Sequence, residues 1–89
     1  MRKKSVLEEA AEVVNGKRKE DYGEPVECLT RIGEMWGLVM GLEEPIQAEV
    51  VAMMMVGLKL VREANRHGRD NLVDMAGYVE IADVAWGRE

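Results

Sequence analysis

The apolar residues of the chain recur at helical spacing, and their pattern predicts four α-helices. Residues 50–58 carry no charge, and Lys59, Arg62 and Arg66 follow at helical spacing; we call these three cations the basic stripe. A helix that is apolar on all sides has to be covered on all sides. This third helix, predicted over residues 45–66, is therefore expected to be the one around which the others pack.

Capping and turn residues set the predicted helix boundaries. Ser5 and Glu8 match the capping box that starts a helix, and Gly16 is suited to end it. The polar residues 17–23 show no apolar period and are predicted to be a loop. Pro45 suits the first helical position, where its missing amide costs nothing. The other helices are predicted over residues 5–16, 25–40 and 70–86.

Gly33 and Gly37 lie four residues apart at one edge of the apolar stripe of the second helix. Each costs about 1 kcal/mol of helix stability relative to alanine. We interpret the pair as a place where a neighbouring helix approaches the backbone closely.

The fold class predicted from these elements is all-α. No stretch alternates between apolar and polar residues as a strand would. Residues 1–89 are predicted to form a single domain, a four-helix bundle with short connections. A chain this small offers only three other helices to cover its third helix on every side. Homo-oligomerisation, most simply a homodimer, is therefore expected to complete the bundle.

Composition narrows the partners and the compartment. The net charge of −5 disfavours non-specific binding to nucleic acid, which needs clustered lysine and arginine. The single cysteine, Cys28, excludes an internal disulfide framework and suits a reducing compartment. The N-terminus lacks the apolar region of a signal peptide, and the longest apolar run is far short of the roughly 20 residues that span a bilayer. We expect a cytoplasmic protein without a membrane segment.

Asp74 is the main candidate for chemistry. Its neighbours on the fourth helix include Tyr78 and Ile81, and a carboxylate among apolar groups is costly unless it is paired or binds a metal. An ion pair with the basic stripe, a metal-binding or catalytic role, and plain exposure all remain open. Asp70, one turn earlier, is either the N-cap of the helix, a place Asn71 also suits, or a functional group at the same site.

The basic stripe suits a phosphate. Arginine offers a planar fork of donors and lysine a point charge, so the three cations can hold an anionic ligand. Pairing with acids of the same protein is the alternative. Tyr22, an aromatic residue in a polar stretch, offers a stacking surface beside them.

Glu9 and Glu12 lie on one face of the first helix at i, i+3 and can bind Mg²⁺, which prefers oxygen ligands. They lie opposite the apolar stripe of that helix, which favours a solvated acidic face instead. A metal site here would need a partner subunit to cover that face.

Four segments carry a resemblance to known families. They are Asp21-Tyr22-Gly23-x-Pro25, Arg31-Ile32-Gly33-x-Met35-Trp36, Met55-Val56-Gly57-Leu58-Lys59-Leu60-Val61-Arg62, and Asp70-Asn71-Leu72-Val73-Asp74-Met75-Ala76-Gly77-Tyr78. In this order they resemble a family of small bacteriophage and prophage proteins with no settled function. More distantly, the Lys-x-x-Arg helix followed by Asp-x-x-x-Asp-x-x-x-Tyr is similar to the all-α nucleotide pyrophosphohydrolases of the MazG-like group.

The distant resemblance implies a mechanism. Such enzymes hold Mg²⁺ with a Glu-x-x-Glu pair and a later Glu-x-x-Asp pair, and the metal activates a water that attacks a nucleoside triphosphate and releases pyrophosphate. Glu9 and Glu12 would match the first pair and Asp74 the last acid. Asn71 stands where the other glutamate is expected, and Asp70 is the nearest substitute. The expected catalytic residues are Asp74 and Asp70, the metal ligands Asp74, Asp70, Glu9 and Glu12, and the substrate-binding residues Lys59, Arg62, Arg66, Tyr22 and Tyr78.

Three functional hypotheses follow. The chain is a small Mg²⁺-dependent pyrophosphohydrolase of a phage, acting in the host cytoplasm. Alternatively, it is a non-catalytic descendant that binds or sequesters a nucleotide, or it is a helical interaction protein that docks on a host protein. Metal dependence separates the first two hypotheses, and nucleotide binding separates the second from the third.

Overall fold

The computed structural model describes residues 3–87, apart from the side chains of residues 17, 18 and 22, and this part of the chain forms α-helices and no strand. The all-α fold class is therefore confirmed. Five helices follow one another along the chain: α1 (Val6–Asn15), α2 (Lys17–Tyr22), α3 (Pro25–Met40), α4 (Ala48–Asn65) and α5 (Arg69–Ala85).

The predicted start of α1 and the predicted end of α3 are confirmed in detail. The Ser5 Oγ accepts a hydrogen bond from the Glu8 N–H at 3.1 Å, and the Glu8 carboxylate accepts one from the Ser5 N–H at 3.1 Å, which completes the capping box. Gly41 ends α3 in the left-handed conformation, at φ 70°. The local capping chemistry of the sequence thus determines these two ends.

Residues 17–23 were predicted to be a loop, and that prediction was wrong because residues Lys17–Tyr22 form α2. The Gly16 carbonyl accepts hydrogen bonds from Lys19 N at 3.0 Å and Glu20 N at 3.2 Å, and the Gly23 N–H donates to Lys19 O at 2.9 Å. Such a short helix satisfies its backbone groups locally and needs no apolar stripe. Its polar composition therefore gave no sign of it.

The predicted start of the third helix was also wrong, because α4 begins at Ala48 and not at Pro45. Residues 42–47 run across α3 instead. The Ile46 N–H donates to Gly33 O at 3.2 Å, which ties this segment to the neighbouring helix before α4 can start.

Gly33 and Gly37 leave room for this connecting segment to pass close to α3. The prediction that a helix approaches them was wrong. A Cβ added to Gly33 would lie 1.9 Å from Ile46 O, and one added to Gly37 would lie 3.2 Å from Pro45 Cα. Both contacts are with backbone, which cannot move aside as a flexible side chain can. The two glycines therefore fix where the segment crosses α3.

The core lies where α1, α3, α4 and α5 meet. Val51 and Ala52 of α4 have no exposed surface and form its centre. The remaining buried members of the core cluster are Val14, Leu29, Ala48, Tyr78, Ile81 and Ala82. Helices α4 and α5, joined by residues 66–68, make the most extensive contact between any two helices.

One chain covers only one face of α4. Elsewhere on α4, six large apolar side chains remain between 39% and 70% exposed: Val50, Met53, Met54, Leu58, Leu60 and Val61. The expectation that the third helix is buried on all sides is therefore not met within a single chain. Within residues 3–87 no helix is both long and apolar enough to cross a membrane.

We expect Gly33→Ala to lower the free energy of unfolding by about 1–3 kcal/mol, because the added methyl would overlap Ile46 O and force a backbone shift. Gly37→Ala should cost less, since its contact at 3.2 Å is only tight. Urea unfolding measures both effects. Glu34→Ala, on the exposed face of α3 between them, is the control and should change stability by less than about 0.5 kcal/mol. Equal stability of Gly33→Ala and the control would contradict the account.

Candidate functional site

The Asp74 carboxylate of α5 pairs with the Lys59 ammonium of α4. The two charged atoms are 2.9 Å apart, and the side chains are only 22% and 16% exposed. Of the alternatives left open by the sequence, plain exposure is excluded and the ion pair is present, with Lys59 as the partner. The pair holds a positive and a negative charge together in a mostly buried place, where each stabilises the other.

The other two members of the basic stripe have a different environment. Arg62 and Arg66 are exposed, and within the described part of the chain neither side chain forms an ion pair or hydrogen bond. Because arginine stays charged at any physiological pH, these two side chains can bind an anion from solution.

Glu63, which the sequence analysis missed, organises the turn between α4 and α5. Its carboxylate accepts hydrogen bonds from Gly68 N at 2.9 Å and from Asn71 Nδ2 at 3.2 Å, and it contacts His67 Nδ1. The hydrogen bond with His67 and the one from the Gly68 N–H lower the pKa of Glu63 from 4.5 to about 2. The spacing Glu63-x-x-x-His67, one helical turn, was the available signal.

This turn corrects the prediction that Asp70 or Asn71 is the N-cap of the last helix. Helix α5 starts at Arg69, with Gly68 as its N-cap. Glu63 of α4 accepts the Gly68 N–H from outside α5, so no side chain of α5 itself is needed as a cap. Asp70 instead lies exposed in the first turn, where a negative charge suits the positive end of the helix dipole.

Glu9 and Glu12 each form an ion pair with a basic side chain of the same chain. The Glu9 carboxylate accepts hydrogen bonds from Arg69 Nη2 at 2.9 Å and Nε at 3.2 Å, which ties α1 to the start of α5. Glu12 pairs with Lys4 at 2.6 Å, and both side chains are more than half exposed. The acidic pair of α1 thus serves two separate ion pairs in the isolated chain.

The acids predicted to bind Mg²⁺ do not form a complete metal site in one chain. Among residues 3–87, no three Asp, Glu, His or Cys side chains come close enough to hold a metal ion. Asp70 and Asp74 share a face of α5 at i, i+4. Mg²⁺ often takes one or two carboxylates and completes its shell with water and substrate phosphate. That kind of site fits the arrangement, whereas a two-metal hydrolytic centre needs more carboxylates.

An apolar cleft lies on the same side of α4 as Lys59. Its volume is about 350 Å³, within the range of small-molecule pockets. Its lining includes Val14, Cys28, Leu29, Ile32, Met55, Tyr78 and Ile81. Tyr78 also lines a smaller depression together with Asp74, so it connects the cleft to the ion pair. Tyr22 belongs to α2 by its backbone, and its side chain lies outside the described structure.

The Lys59–Asp74 pair should show strong energetic coupling. Asp74→Asn and Lys59→Met each leave a mostly buried charge unpaired, and we expect each to cost about 1–3 kcal/mol of stability. The double variant should recover about 1 kcal/mol of the summed loss, measured as a coupling energy by urea unfolding.

The exposed pair of Lys19 and Glu24 is the matched control for this cycle. Its charged atoms are 3.0 Å apart, but its side chains are 47% and 57% exposed. Its coupling should be smaller, at most about 0.5 kcal/mol, because water screens both charges. Equal coupling in the two pairs would show that the Lys59–Asp74 pair gains nothing from its burial.

The lowered pKa of Glu63 gives stability a pH dependence. Because the folded-state pKa is about 2 and the ordinary value is 4.5, the contribution of Glu63 is complete above pH 4.5 and is lost as the pH falls towards 2. Glu63→Gln should flatten the fall of the unfolding free energy across this window. Glu34→Gln, on the exposed face of α3, is the control, and its unfolding free energy should fall with pH as steeply as that of the native protein. If the unfolding free energy of Glu63→Gln fell with pH as steeply as that of the native protein, the pH dependence would not come from Glu63.

Comparison with known proteins places the chain in a family. Residues 5–85 match the family described as a domain of unknown function, DUF6378. The Gene 55 protein of Mycobacterium phage L5 is 40% identical over 81 residues, which are 89% of this chain and 51% of the phage protein. The Gene 55 protein of Mycobacterium phage D29 is 36% identical over 75 residues, which are 83% of this chain and 48% of that protein.

The chain thus spans about half the length of the curated relatives it matches. No solved structure matches it significantly. The predicted resemblance to bacteriophage proteins is confirmed. The chain belongs to the DUF6378 family and is similar to mycobacteriophage proteins.

Proposed function

We propose that this protein binds a nucleotide at the junction of α4 and α5, with the phosphates on the basic stripe and the base in the apolar cleft. The observation that carries the proposal is the mostly buried Lys59–Asp74 pair, which lies between the cleft and two exposed arginines. A ligand that is apolar at one end and anionic at the other suits this arrangement.

The spacing along α4 supports a ligand of nucleotide size. Met55 lines the cleft, and Lys59 and Arg62 follow it at i+4 and i+7 on the same face of the helix. Seven residues of α-helix span about 10 Å. A nucleoside with its first phosphates extends over a comparable distance, so one ligand can reach from the cleft to Arg62.

The ion pair would exchange partners when a magnesium nucleotide binds. A phosphate oxygen would take the place of the Asp74 carboxylate at the Lys59 ammonium, and Asp74, with Asp70 one turn away, would hold the Mg²⁺ that accompanies the phosphates. Each buried charge thereby keeps an opposite charge beside it, which is the condition for burying either. Bound Mg²⁺ would supply charge neutralisation of the phosphates.

Pyrophosphohydrolase activity is the more specific form of this proposal. It rests on the distant resemblance of Lys59-x-x-Arg62 and Asp70-x-x-x-Asp74-x-x-x-Tyr78 to MazG-like enzymes. Asn71 departs from that pattern, and its side chain donates to Glu63. Binding without cleavage is therefore the simpler form, and the protein would act in the cytoplasm of the host cell in either case.

Thermal melting of the purified protein with a panel of nucleotides, with and without Mg²⁺, tests the proposal. A ligand that binds only the folded state adds about 2.7 kcal/mol of stability at a hundredfold excess over its Kd. We expect at least one nucleoside triphosphate to raise the Tm. Arg62→Gln should reduce that rise, because it removes one phosphate contact.

Two controls sharpen the experiment. Arg31→Gln removes an exposed cation of α3 outside the basic stripe and should leave the rise intact. Asp74→Asn should abolish the Mg²⁺-dependent part of the rise while circular dichroism shows an unchanged helical content. Pyrophosphate release that requires both Mg²⁺ and Asp74 would establish catalysis. No rise in Tm with any nucleotide would overturn the proposal.

Docking on a host protein is the second candidate function. The observation that favours it is the exposed apolar face of α4 on a chain whose net charge is −5. Self-association competes for the same face. We propose that a homodimer completes the bundle, because the apolar side chains of α4 need a cover that one chain does not provide.

A further inference from the structure

We propose that two copies of this chain associate through α4 and that the two α4 helices cross at Gly57. This inference rests on the proposed self-association and assigns its interface. Three independent observations carry it: the surface area of the chain, the pattern along the exposed face of α4, and the empty space around one glycine.

The exposed area is larger than the average for a folded monomer of this mass. The chain exposes 6605 Å², whereas a folded monomer of this mass exposes about 5,200 Å². Its radius of gyration is 13.9 Å, against about 12 Å for a compact domain of 89 residues. The excess area of about 1,400 Å² exceeds the roughly 800 Å² that each partner contributes to a standard protein interface.

The exposed face of α4 has the pattern of a helix–helix seam. Val50, Met54, Gly57 and Val61 follow one another at intervals of 4, 3 and 4 residues, the spacing by which one helix packs along another. At 100° per residue they form a narrow strip opposite Ala52, which is fully buried. No charged residue lies in this strip. The face thus matches itself, as a two-fold interface requires.

Close packing within the described chain does not account for Gly57. Within the described helices, Gly33, Gly37 and Gly77 each have a neighbouring atom within 3.2 Å of an added Cβ, so close packing accounts for them. Apart from the backbone of α4 itself, no atom of residues 3–87 lies within 4 Å of a Cβ added at Gly57. Glycine is the least favourable helix-interior residue apart from proline, and a bare backbone here gives the space for a second helix to come close.

A second copy of the chain is the occupant that these observations favour over an unrelated partner. An unrelated partner that complements an acidic protein would carry basic groups and would need acidic residues to pair with them. The strip has no charged residue to offer. The excess area of two chains, about 2,800 Å², lies within the range of about 2,000–5,000 Å² that obligate homodimers bury.

Sedimentation equilibrium over a range of protein concentrations tests the inference. The native protein should have twice the mass of one chain. Gly57→Ala should raise the dimer dissociation constant by about tenfold, because the methyl group lies where the two backbones meet. In a monomer the same change would only favour the helix, so weaker association cannot be caused by unfolding. Gly57→Leu should raise the constant further.

Val61→Glu and Leu7→Glu form a matched pair for the same measurement. Val61 is 70% exposed in the seam of α4, and Leu7 is 74% exposed on α1. We expect Val61→Glu to give monomers and Leu7→Glu to leave the dimer intact, with the same helical content by circular dichroism.

The outcomes separate the two levels of the proposal. A native protein that is monomeric at all concentrations overturns self-association as well as the crossing. A native dimer that Gly57→Leu and Val61→Glu leave intact overturns the crossing alone. Neither outcome bears on nucleotide binding, which the melting experiment measures in its own right.

Discussion

The fold depends on the need to cover α4. This helix is apolar around its whole circumference over residues 50–58, and an apolar surface of that size is unfavourable in water. Helices α3 and α5 pack on the face centred on Val51 and Ala52, both of which are fully buried. The connection that passes over Gly33 and Gly37 brings α3 and the start of α4 together. The opposite face is uncovered in one chain, and the proposed dimer would cover it.

A cluster of charged groups lies at the other end of the same helix. After the apolar run, α4 carries Lys59, Arg62 and Glu63, and each of the three has a different environment. Lys59 is paired across to α5, Glu63 fixes the turn that starts α5, and Arg62 points to solvent. The packed α4–α5 pair therefore presents a cluster of charges beside an apolar cleft, and such preorganisation favours binding.

Much of the helical framework could be predicted from the sequence because its signals are local. The capping box at Ser5, the left-handed Gly41 and the bounds of α3 depend only on neighbouring residues. The start of α4 could not be predicted, since a hydrogen bond from Ile46 to Gly33 across two elements decides it. The proline signal at Pro45 was overridden by this tertiary contact.

The candidate site was predictable in part for the same reason. The position of Asp74 on an apolar face indicated that it needs a partner, and the spacing of the basic stripe made Lys59 one of three choices. The choice itself depends on how α4 and α5 are aligned, which the sequence pattern does not reveal. Arg69 reaches Glu9 over a separation of 60 residues, so no local pattern signals that contact. Asp70 lost its predicted capping role because Glu63, five residues before Gly68, takes it.

In the proposed dimer, α4 is covered by its own chain on one face and by α4 of a second copy on the other. Isotope-filtered NMR on a mixture of labelled and unlabelled chains tests it most directly, since it detects only contacts between chains. We expect nuclear Overhauser effects from the methyl groups of Met54 and Val61 to the Hα protons of Gly57 of the partner subunit. Contacts between chains that involve only other helices, or none at all, would contradict it.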